Sequence, residues 1–591
     1  MSQNPNNIDA AVKALLGEFK ADPSSNQPET IQKALLIARS LMKRAKELQT
    51  PEERKQQMEL DRMIQNPSDK VTMTAMTDQA FRSKEAGRAA DQLVHILDVQ
   101  GVPRFFSPMD RTLLKGFQSF GSYLPGVTIP MVKDKMRAET ANVIIPAEQE
   151  VLRKHLNERR SEGVRMNVNY LGEAILGEEE AHRRLTQYLQ AFQLPEIEVM
   201  SVKISTVYSQ INPVSREHSI RQMCERMELL YRAAAKGRFK RADGTEVPKF
   251  VYLDMEEYRD LSLTAEVFMR TLDRPDLKSM EAGIVFQAYV PDSHLWQQTV
   301  TEWAKKRVAD GGGVITVRIV KGANMEMERV EASAHGWPQA PYKTKVETDA
   351  NYKRMVQYAF QPENLKAVKP GIASHNLFDI SYALVLATEM NALGGIQFEM
   401  LEGMANHQRR ALHELTRNVL LYAPACQKKD FIHAIGYLVR RLDENTGDEN
   451  FLRHAFNVTV GSETWQKLEA GFLKSFELIP NVRSEPRRQQ DRNTETFEYP
   501  SELLDFADFE NEADTDFSLP QNSVWADGIV ERWKGRCNDD ATTIPLYIAG
   551  KETTDDREVK DCLDPSRDGI VVGTYKPVSY THLTLPTILL V

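Results

Sequence analysis

The chain has 591 residues, with 84 acidic against 75 basic side chains and a net charge of −9. That length exceeds one ordinary core and suggests two to four domains at roughly 150 residues each, while the acidic excess argues against nucleic acid, whose binders present a basic face. Cys224, Cys426, Cys537 and Cys562 lack CxxC spacing, the N-terminus lacks a signal pattern and no apolar run is long enough for a membrane span, so a reducing cytoplasm is expected and zinc or disulfide frameworks are not.

In chain order, residues 1–140 read as helices: IQKALLIARSLMKRAKEL (31–48) repeats apolar residues at helical spacing, and Pro51-Glu52-Glu53 opens the next helix. This segment is expected to be a bracing or interaction layer with no chemistry of its own. From about 164, within a domain expected over 141–465, short apolar runs alternate with amphipathic stretches. The runs are 164–171, 199–205, 250–256, 283–290, 313–320, 368–376, 396–402 and 418–424, with a further helix at 428–443. Eight strand-helix units predict a closed (β/α)₈ barrel of the TIM type, with an open doubly wound sheet as the alternative. Residues 466–525 read as a polar, acidic linker, and 526–578 as the β-rich opening of another domain. The last residues, SYTHLTLPTILLV (579–591), bear no relation to what precedes them and are expected to be non-native, similar to a translated adapter read-through.

Barrel enzymes carry their chemistry at the C-terminal ends of the strands. Polar residues recur there: Lys203, Asp254, Glu256, Gln287, Arg318, Lys321, His375, Asn376, Glu402 and Tyr422. In TVRIVKGANMEMERVEAS (316–333), Gly322 permits close backbone approach to a ligand, and Arg318 and Lys321 offer positive charge to a ring or phosphate. An ordinary βα turn with two solvated cations accounts for the same pattern. In YLVRRLDEN (437–445), Arg440 and Arg441 lie four and three residues before Glu444. They suit a substrate carboxylate, or form a plain charged helix face. Asp254 ends an apolar strand and could act as base, ligand or hydrogen-bond acceptor. His375-Asn376 could donate to a ligand or sit in an interface. No His cluster supports a metal site.

Taken together, SVKIS (201–205), LDMEE (253–257), FQAY (286–289), RIVKGANMEMERVEAS (318–333), HGWPQAPY (335–342), SHN (374–376), FEMLEGM (398–404), LYAP (421–424) and YLVRRLDEN (437–445) resemble, in order, the proline dehydrogenase domain of the bifunctional proline utilization A flavoenzymes. NEADTDFSLPQN (511–522) resembles that family's connector to an aldehyde dehydrogenase domain. The resemblance covers about 150–460 and, more weakly, the N-terminal helices.

The resemblance implies a site. Lys203, Arg440 and Arg441 match positions binding the proline carboxylate, with Glu444 orienting the arginines. Asp254 and Arg318 match the catalytic polar pair flanking substrate and isoalloxazine, and Tyr422 an aromatic wall against the proline ring. Met255, Gln287, Arg318, Val320, Lys321, Gly322, Ser374 and His375 match positions contacting FAD. The implied reaction is hydride transfer from L-proline to FAD, giving Δ1-pyrroline-5-carboxylate, with electrons passed to a membrane quinone through peripheral membrane contact. A homo-oligomer is compatible with the resemblance.

Three departures qualify it. Residues 1–30 hold two lysines and no arginine, so the ribbon-helix-helix DNA-binding module of some members is not expected, nor is a repressor function. NMEMERVEAS stands where other members carry an aromatic residue. The chain ends before the catalytic cysteine of an aldehyde dehydrogenase, so glutamate semialdehyde dehydrogenase activity is expected to be lost. The competing readings are a flavin barrel for another cyclic amine such as hydroxyproline, an inactive fragment and a DNA-binding regulator.

Overall fold

The computed structural model describes residues 6–104, 106–172, 175, 177–322, 324–446, 450–455, 457–496, 511–548, 551–553 and 557–578. The segment 579–591 lies outside the described residues. The chain forms two compact units. The first comprises the residues up to Asn212, Arg216–Gln489 and Asn511–Asp514, and the second Pro213–Ser215 with the described residues of Gln490–Glu510 and Thr515–Val591.

The first unit is built around a closed parallel barrel: β1 Arg165–Tyr170, β2 Val199–Lys203, β3 Phe250–Asp254, β4 Ala282–Gln287, β5 Ile315–Val320, β6 Val368–Ala373, β7 Gln397–Leu401 and β8 Val419–Cys426. Each strand pairs with the next, and β8 returns to β1 with Leu420 opposite Arg165 and Tyr422 opposite Asn167, closing the (β/α)₈ barrel. The surrounding helices are α1 Glu178–Ala191, α2 Arg216–Lys236, α3 Leu261–Leu272, α4 Asp292–Ala309, α5 Lys345–Ala359, α6 Leu377–Glu389, α7 Asn406–Thr416 and α8 Ile435–Thr446. Because helices cover the outer face, strands are buried on both sides and read as continuous apolar runs.

Six of the eight strands stop earlier than the sequence runs suggest, while β5 ends at Val320 as expected and β8 runs on to Cys426. β6 ends at Ala373 rather than Asn376 because the Asn376 side chain accepts the Phe378 N–H and caps α6. A β-hairpin, Arg238–Lys240 with Glu246–Pro248, is an element the apolar runs do not reveal. Its strands are short and polar, and its signal is Asp243-Gly244, where Gly244 turns the chain at φ +87°.

Among the described residues eight α-helices precede β1, from Asn6–Gly17 to Gln149–Ser161. The helix Glu29–Leu48 lays Ile31, Leu35, Ala38, Leu41, Met42 and Ala45 against α6 and α7. Further along, Met76, Ala89, Leu93, Leu97 and Ile129 form a small core of their own. After α8, the helix Glu463–Leu478 buries Trp465 and Phe472 against Phe378 of α6, with ring centroids 4.7 and 5.4 Å away. In the second unit, a helix Pro520–Trp533 precedes two small sheets. Val571–Tyr575 pairs parallel with Thr542–Ile544 and antiparallel with Lys560–Leu563, and Leu546–Ile548 forms a hairpin with Lys551–Thr553.

Phe378 is fully buried among Phe451, Trp465 and Phe472. Phe378→Ala is expected to cost about 3–5 kcal/mol in urea unfolding, the range for a buried aromatic truncation. A loss under about 1 kcal/mol would show that this aromatic seam does not hold α6 to the helix after α8.

Candidate active site

The barrel interior carries charge on its axis. Arg318, on β5, is buried to 4% exposure between two carboxylates from other strands. Its Nη1 donates to Asp254 Oδ1 of β3 at 2.8 Å and its Nε to Glu399 Oε2 of β7 at 2.6 Å. The guanidinium lies over the Tyr252 ring at 3.9 Å. Burial alone would lower the Arg318 pKa, but Glu399 and Asp254 outweigh it and keep the group protonated.

Each carboxylate is held by hydroxyls as well. Asp254 accepts from Tyr422 OH at 2.9 Å and from Ser201 OH at 2.9 Å, and Ser201 in turn accepts from Asn167 Nδ2 at 3.0 Å. Glu399 Oε1 accepts from Tyr252 OH at 2.7 Å. Burial raises the Glu399 pKa against the opposing pull of Arg318. Within this network one donor is left over: Arg318 Nη2 is shielded from solvent and has no hydrogen-bond partner.

Above the network lies a cavity of about 320 Å³ at the C-terminal ends of the strands. Asp254, Arg318, Glu399 and Tyr422 form its floor, and Met255, Gln287 and Val320 line it further round. Gln287 Nε2 donates to the Met255 carbonyl at 3.4 Å. Gly322 also lines it, at φ +122°, and a Cβ there would lie 2.4 Å from the Tyr289 ring. No other residue fits that backbone approach. Lys321 reaches the same wall while its ammonium sits between Asp349 at 2.5 Å and Asp379 at 2.7 Å, which raises its pKa against the cost of burial. Asp379 also holds Lys353 at 3.0 Å, and Asp349 holds Lys345 at 2.5 Å.

His375 and Ser374 complete that side, Ser374 accepting the Asn376 N–H at 3.0 Å. The Leu401 N–H donates to His375 Nε2 at 3.0 Å, so Nδ1 carries the proton of the neutral ring. Burial and the charge of Arg441 push the His375 pKa down to about 3, and Nδ1 has no partner. Arg441 is buried, stacks over Tyr437 at 4.7 Å and lines the cavity.

Twelve of the residues singled out from the sequence thus share one cavity: Asp254, Met255, Gln287, Arg318, Val320, Lys321, Gly322, Ser374, His375, Asn376, Tyr422 and Arg441. Four stand off its wall. Lys203 is paired with Glu256 at 2.9 Å, and Glu256 also accepts from Ser205 OH. Arg440 is not on the lining, although its neighbour Arg441 is. The Glu444 side chain lies outside the described residues. Glu402 turns instead to Arg159 and His155, at 2.5 and 3.4 Å. Sequence reasoning missed Glu399, Tyr252 and Ser201 as network members. The available signal was an acidic residue in the middle of an otherwise apolar strand. Among the described residues no group of three or more His, Cys, Asp or Glu side chains is placed to hold a metal ion.

Residues 152–454 match the family model described as proline dehydrogenase. The chain belongs to the proline dehydrogenase family. It is similar to the structure of proline utilization A from Corynebacterium freiburgense, at 37% identity and a TM-score of 0.56, over 67% of this chain and 36% of that one. It also resembles the fold of proline utilization A from Bdellovibrio bacteriovorus inactivated by N-propargylglycine, at 24% identity and a TM-score of 0.69, over 93% and 53% of the two chains. A mutant proline utilization A from Bradyrhizobium japonicum shares the fold at 18% identity and a TM-score of 0.52, over 82% and 49%. The chain therefore spans between about a third and a half of the length of these solved relatives. No curated protein sequence matches it.

The neutral state of His375 has a pH signature. Its folded pKa, about 3, lies below the ordinary value of 6.5. The unfolded chain therefore binds the extra proton first, and stability falls as pH drops below about 6.5 toward 3. Relative to His375→Gln, the parent is expected to lose up to about 1.4 kcal/mol per pH unit in that window, measured by urea unfolding. Parallel pH profiles for the two proteins would contradict the neutral assignment.

Proposed function

We propose that this chain is an FAD-dependent L-proline dehydrogenase, oxidising L-proline to Δ1-pyrroline-5-carboxylate at the mouth of the barrel and passing the electrons to a quinone. The observation that carries this reading is the pair of shielded, partnerless donors that line one cavity, the charged Arg318 Nη2 on its floor and the neutral His375 Nδ1 on its side. Two buried donors left open each cost about 1–3 kcal/mol, and a ligand rich in acceptors recovers that cost. A flavin with its pyrophosphate is such a ligand, and Gly322 leaves room for close backbone approach.

In this reading Arg318 and His375 hold FAD, with Met255, Gln287, Val320, Lys321, Gly322 and Ser374 around it. FAD, when bound, supplies the two-electron acceptor that no side chain offers. The protein's share is to bind, orient and exclude water. Arg441 is a fixed cation on the cavity wall and suits the substrate carboxylate, which a guanidinium can grip with two hydrogen bonds. Tyr422, tethered through its hydroxyl to Asp254, presents a flat ring against which a pyrrolidine can lie. Asp254 keeps Arg318 and Tyr422 in register from opposite sides. Lys203 adds a second cation once the substrate carboxylate competes with Glu256 for it. Arg440 is proposed to join Arg441 on the substrate carboxylate, and Glu444 to orient the two arginines, a reading that rests on the family resemblance alone.

Quinone reduction requires contact with a membrane surface, and among the described residues no helix is long and apolar enough to cross one. Contact is therefore proposed as peripheral.

Anaerobic visible absorbance of the purified chain, before and after L-proline, tests the whole reading. A flavin spectrum that bleaches on proline addition is the expected result, and a flavin spectrum indifferent to proline would remove the substrate assignment. Arg441→Met is expected to raise KM for proline about ten- to a hundredfold, since a charged hydrogen bond of about 1.5–3 kcal/mol is lost, with a smaller change in kcat. Unchanged KM would move the carboxylate site elsewhere.

A further inference from the structure

Arg318 and Glu399 come from strands that are not neighbours: β5 and β7 flank β6. Across β6 the register sets Arg318 beside Gly371, and Gly371 beside Gln397 of β7. A Cβ on Gly371 would lie 3.0 Å from Glu399 Oε1 and 3.1 Å from the Arg318 Cα. The missing side chain thus opens the gap through which the two charged groups meet. On the other side, Gly283 of β4 leaves room for the Tyr252 ring, which a Cβ there would approach to 2.2 Å. Tyr252 supports Glu399 through its hydroxyl and Arg318 through its ring face.

A guanidinium is a rigid planar fork with five N–H donors. One carboxylate fixes one edge of the fork and leaves it free to swing about that contact. A second carboxylate on another edge fixes the plane. With Nε on Glu399 and Nη1 on Asp254, the only corner left open is Nη2, the donor that has no protein partner.

We propose that Glu399 is a positioning residue for the cofactor: through the gap at Gly371 it clamps Arg318 from the side opposite Asp254, aims Nη2 at the bound flavin, and adds a negative charge beneath the flavin ring. This rests on the flavin reading above. The clamp has two separable parts. Position depends on the gap at Gly371, and charge depends on the carboxylate. The network holds one cation and two carboxylates, so the ionised clamp leaves a net negative charge beneath a group that becomes electron-rich on reduction. The raised pKa of Glu399 agrees with a carboxylate that is costly to keep charged there.

Two variants of the full chain test the parts separately. Glu399→Gln keeps a side chain that can hydrogen-bond Arg318 and Tyr252 but removes the charge. FAD affinity, measured by titrating apo-protein, is expected to stay within about threefold of the parent, whereas the flavin midpoint potential shifts upward because reduction no longer works against that charge. Gly371→Ala leaves every charge in place and wedges Glu399 from Arg318. It is expected to weaken FAD binding at least tenfold while the chain stays folded at the assay temperature, as its far-UV circular dichroism reports, with a lowered melting temperature that matches the strained ion pair. A merely structural Glu399 would lower the melting temperature of Glu399→Gln and leave its potential where the parent's is, which overturns the charge. Gly371→Ala binding FAD as tightly as the parent overturns the positioning, and does so even if Glu399→Gln fails to fold. A parent that binds no flavin overturns the reading of the site on which the clamp rests, whereas a parent that binds flavin beside two unaltered variants overturns the clamp alone.

Discussion

A charged guanidinium inside a parallel barrel is the constraint on which the rest of this structure turns. Removing one partner from a buried ion pair strands the other charge, at a cost of about 3–5 kcal/mol, so Arg318 can exist on the barrel axis only if its neighbours are arranged for it. Asp254 and Glu399 supply the opposite charge, Tyr422, Ser201 and Tyr252 anchor the carboxylates, and Asn167 anchors Ser201. These residues come from β1, β2, β3, β5, β7 and β8. A single ionised side chain thus ties most of the barrel's strands into one hydrogen-bonded layer. Gly283 and Gly371, on the remaining two strands, contribute by having no side chain at all.

How much of this was legible in the sequence follows from which contacts are local. The eight strands were visible because a parallel strand buried on both faces is a nearly unbroken apolar run, and the helices between them are long and amphipathic. Arg318, Lys321 and Gly322 stood out because polar residues and a glycine follow directly on such a run. The strand ends were less legible, since the capping role of Asn376 competes with strand extension in a way that apolar patterning does not register. The hairpin 238–248 escaped because its strands are too short and polar to show a period. The helix Glu463–Leu478 begins near the boundary where polarity rises, yet it commits Trp465 and Phe472 to the main core. Glu399 could be seen as odd but not assigned, because its partner lies 81 residues away and across an intervening strand. That contact exists only once closure and register are known. Lys203 shows the converse: its place at a strand end was plain, but its pairing with Glu256 depends on how the next strand's loop folds back.

The cavity sets two charge clusters side by side with different outcomes. Around Lys321, two carboxylates and three ammonium groups come together: Asp349 pairs with Lys321 and Lys345, and Asp379 with Lys321 and Lys353. The aromatic rings of Phe472 and Phe476 lie 4.8 and 5.3 Å from the Lys353 ammonium. This cluster joins β5, α5 and α6 to the helix after α8, and it spends its charges internally. It reads as a brace. The Arg318 cluster is the reverse case, because it fixes every edge of the guanidinium except one. A donor held rigid, desolvated and unpaired is poor for stability and good for binding, since its cost is recovered only when a ligand arrives.

The two open donors also differ in kind, and that difference narrows what can bind across them. Arg318 carries its charge under all ordinary conditions, so it favours an acceptor that holds or gains negative charge. His375 is kept neutral by burial and by Arg441, with its proton pinned on Nδ1 through the Leu401 amide. It therefore donates without adding charge. Were His375 also cationic, the cavity would hold two open charged donors as well as Arg441, and would prefer any small polyanion. With one charged and one neutral donor in the same cavity, it suits an elongated ligand that presents an acceptor ring at one place and a polar acceptor at another, with the Arg441 guanidinium also on the lining. The proposed flavin, with an amino-acid substrate beside it, fits such a donor set better than a phosphate or a lone carboxylate does.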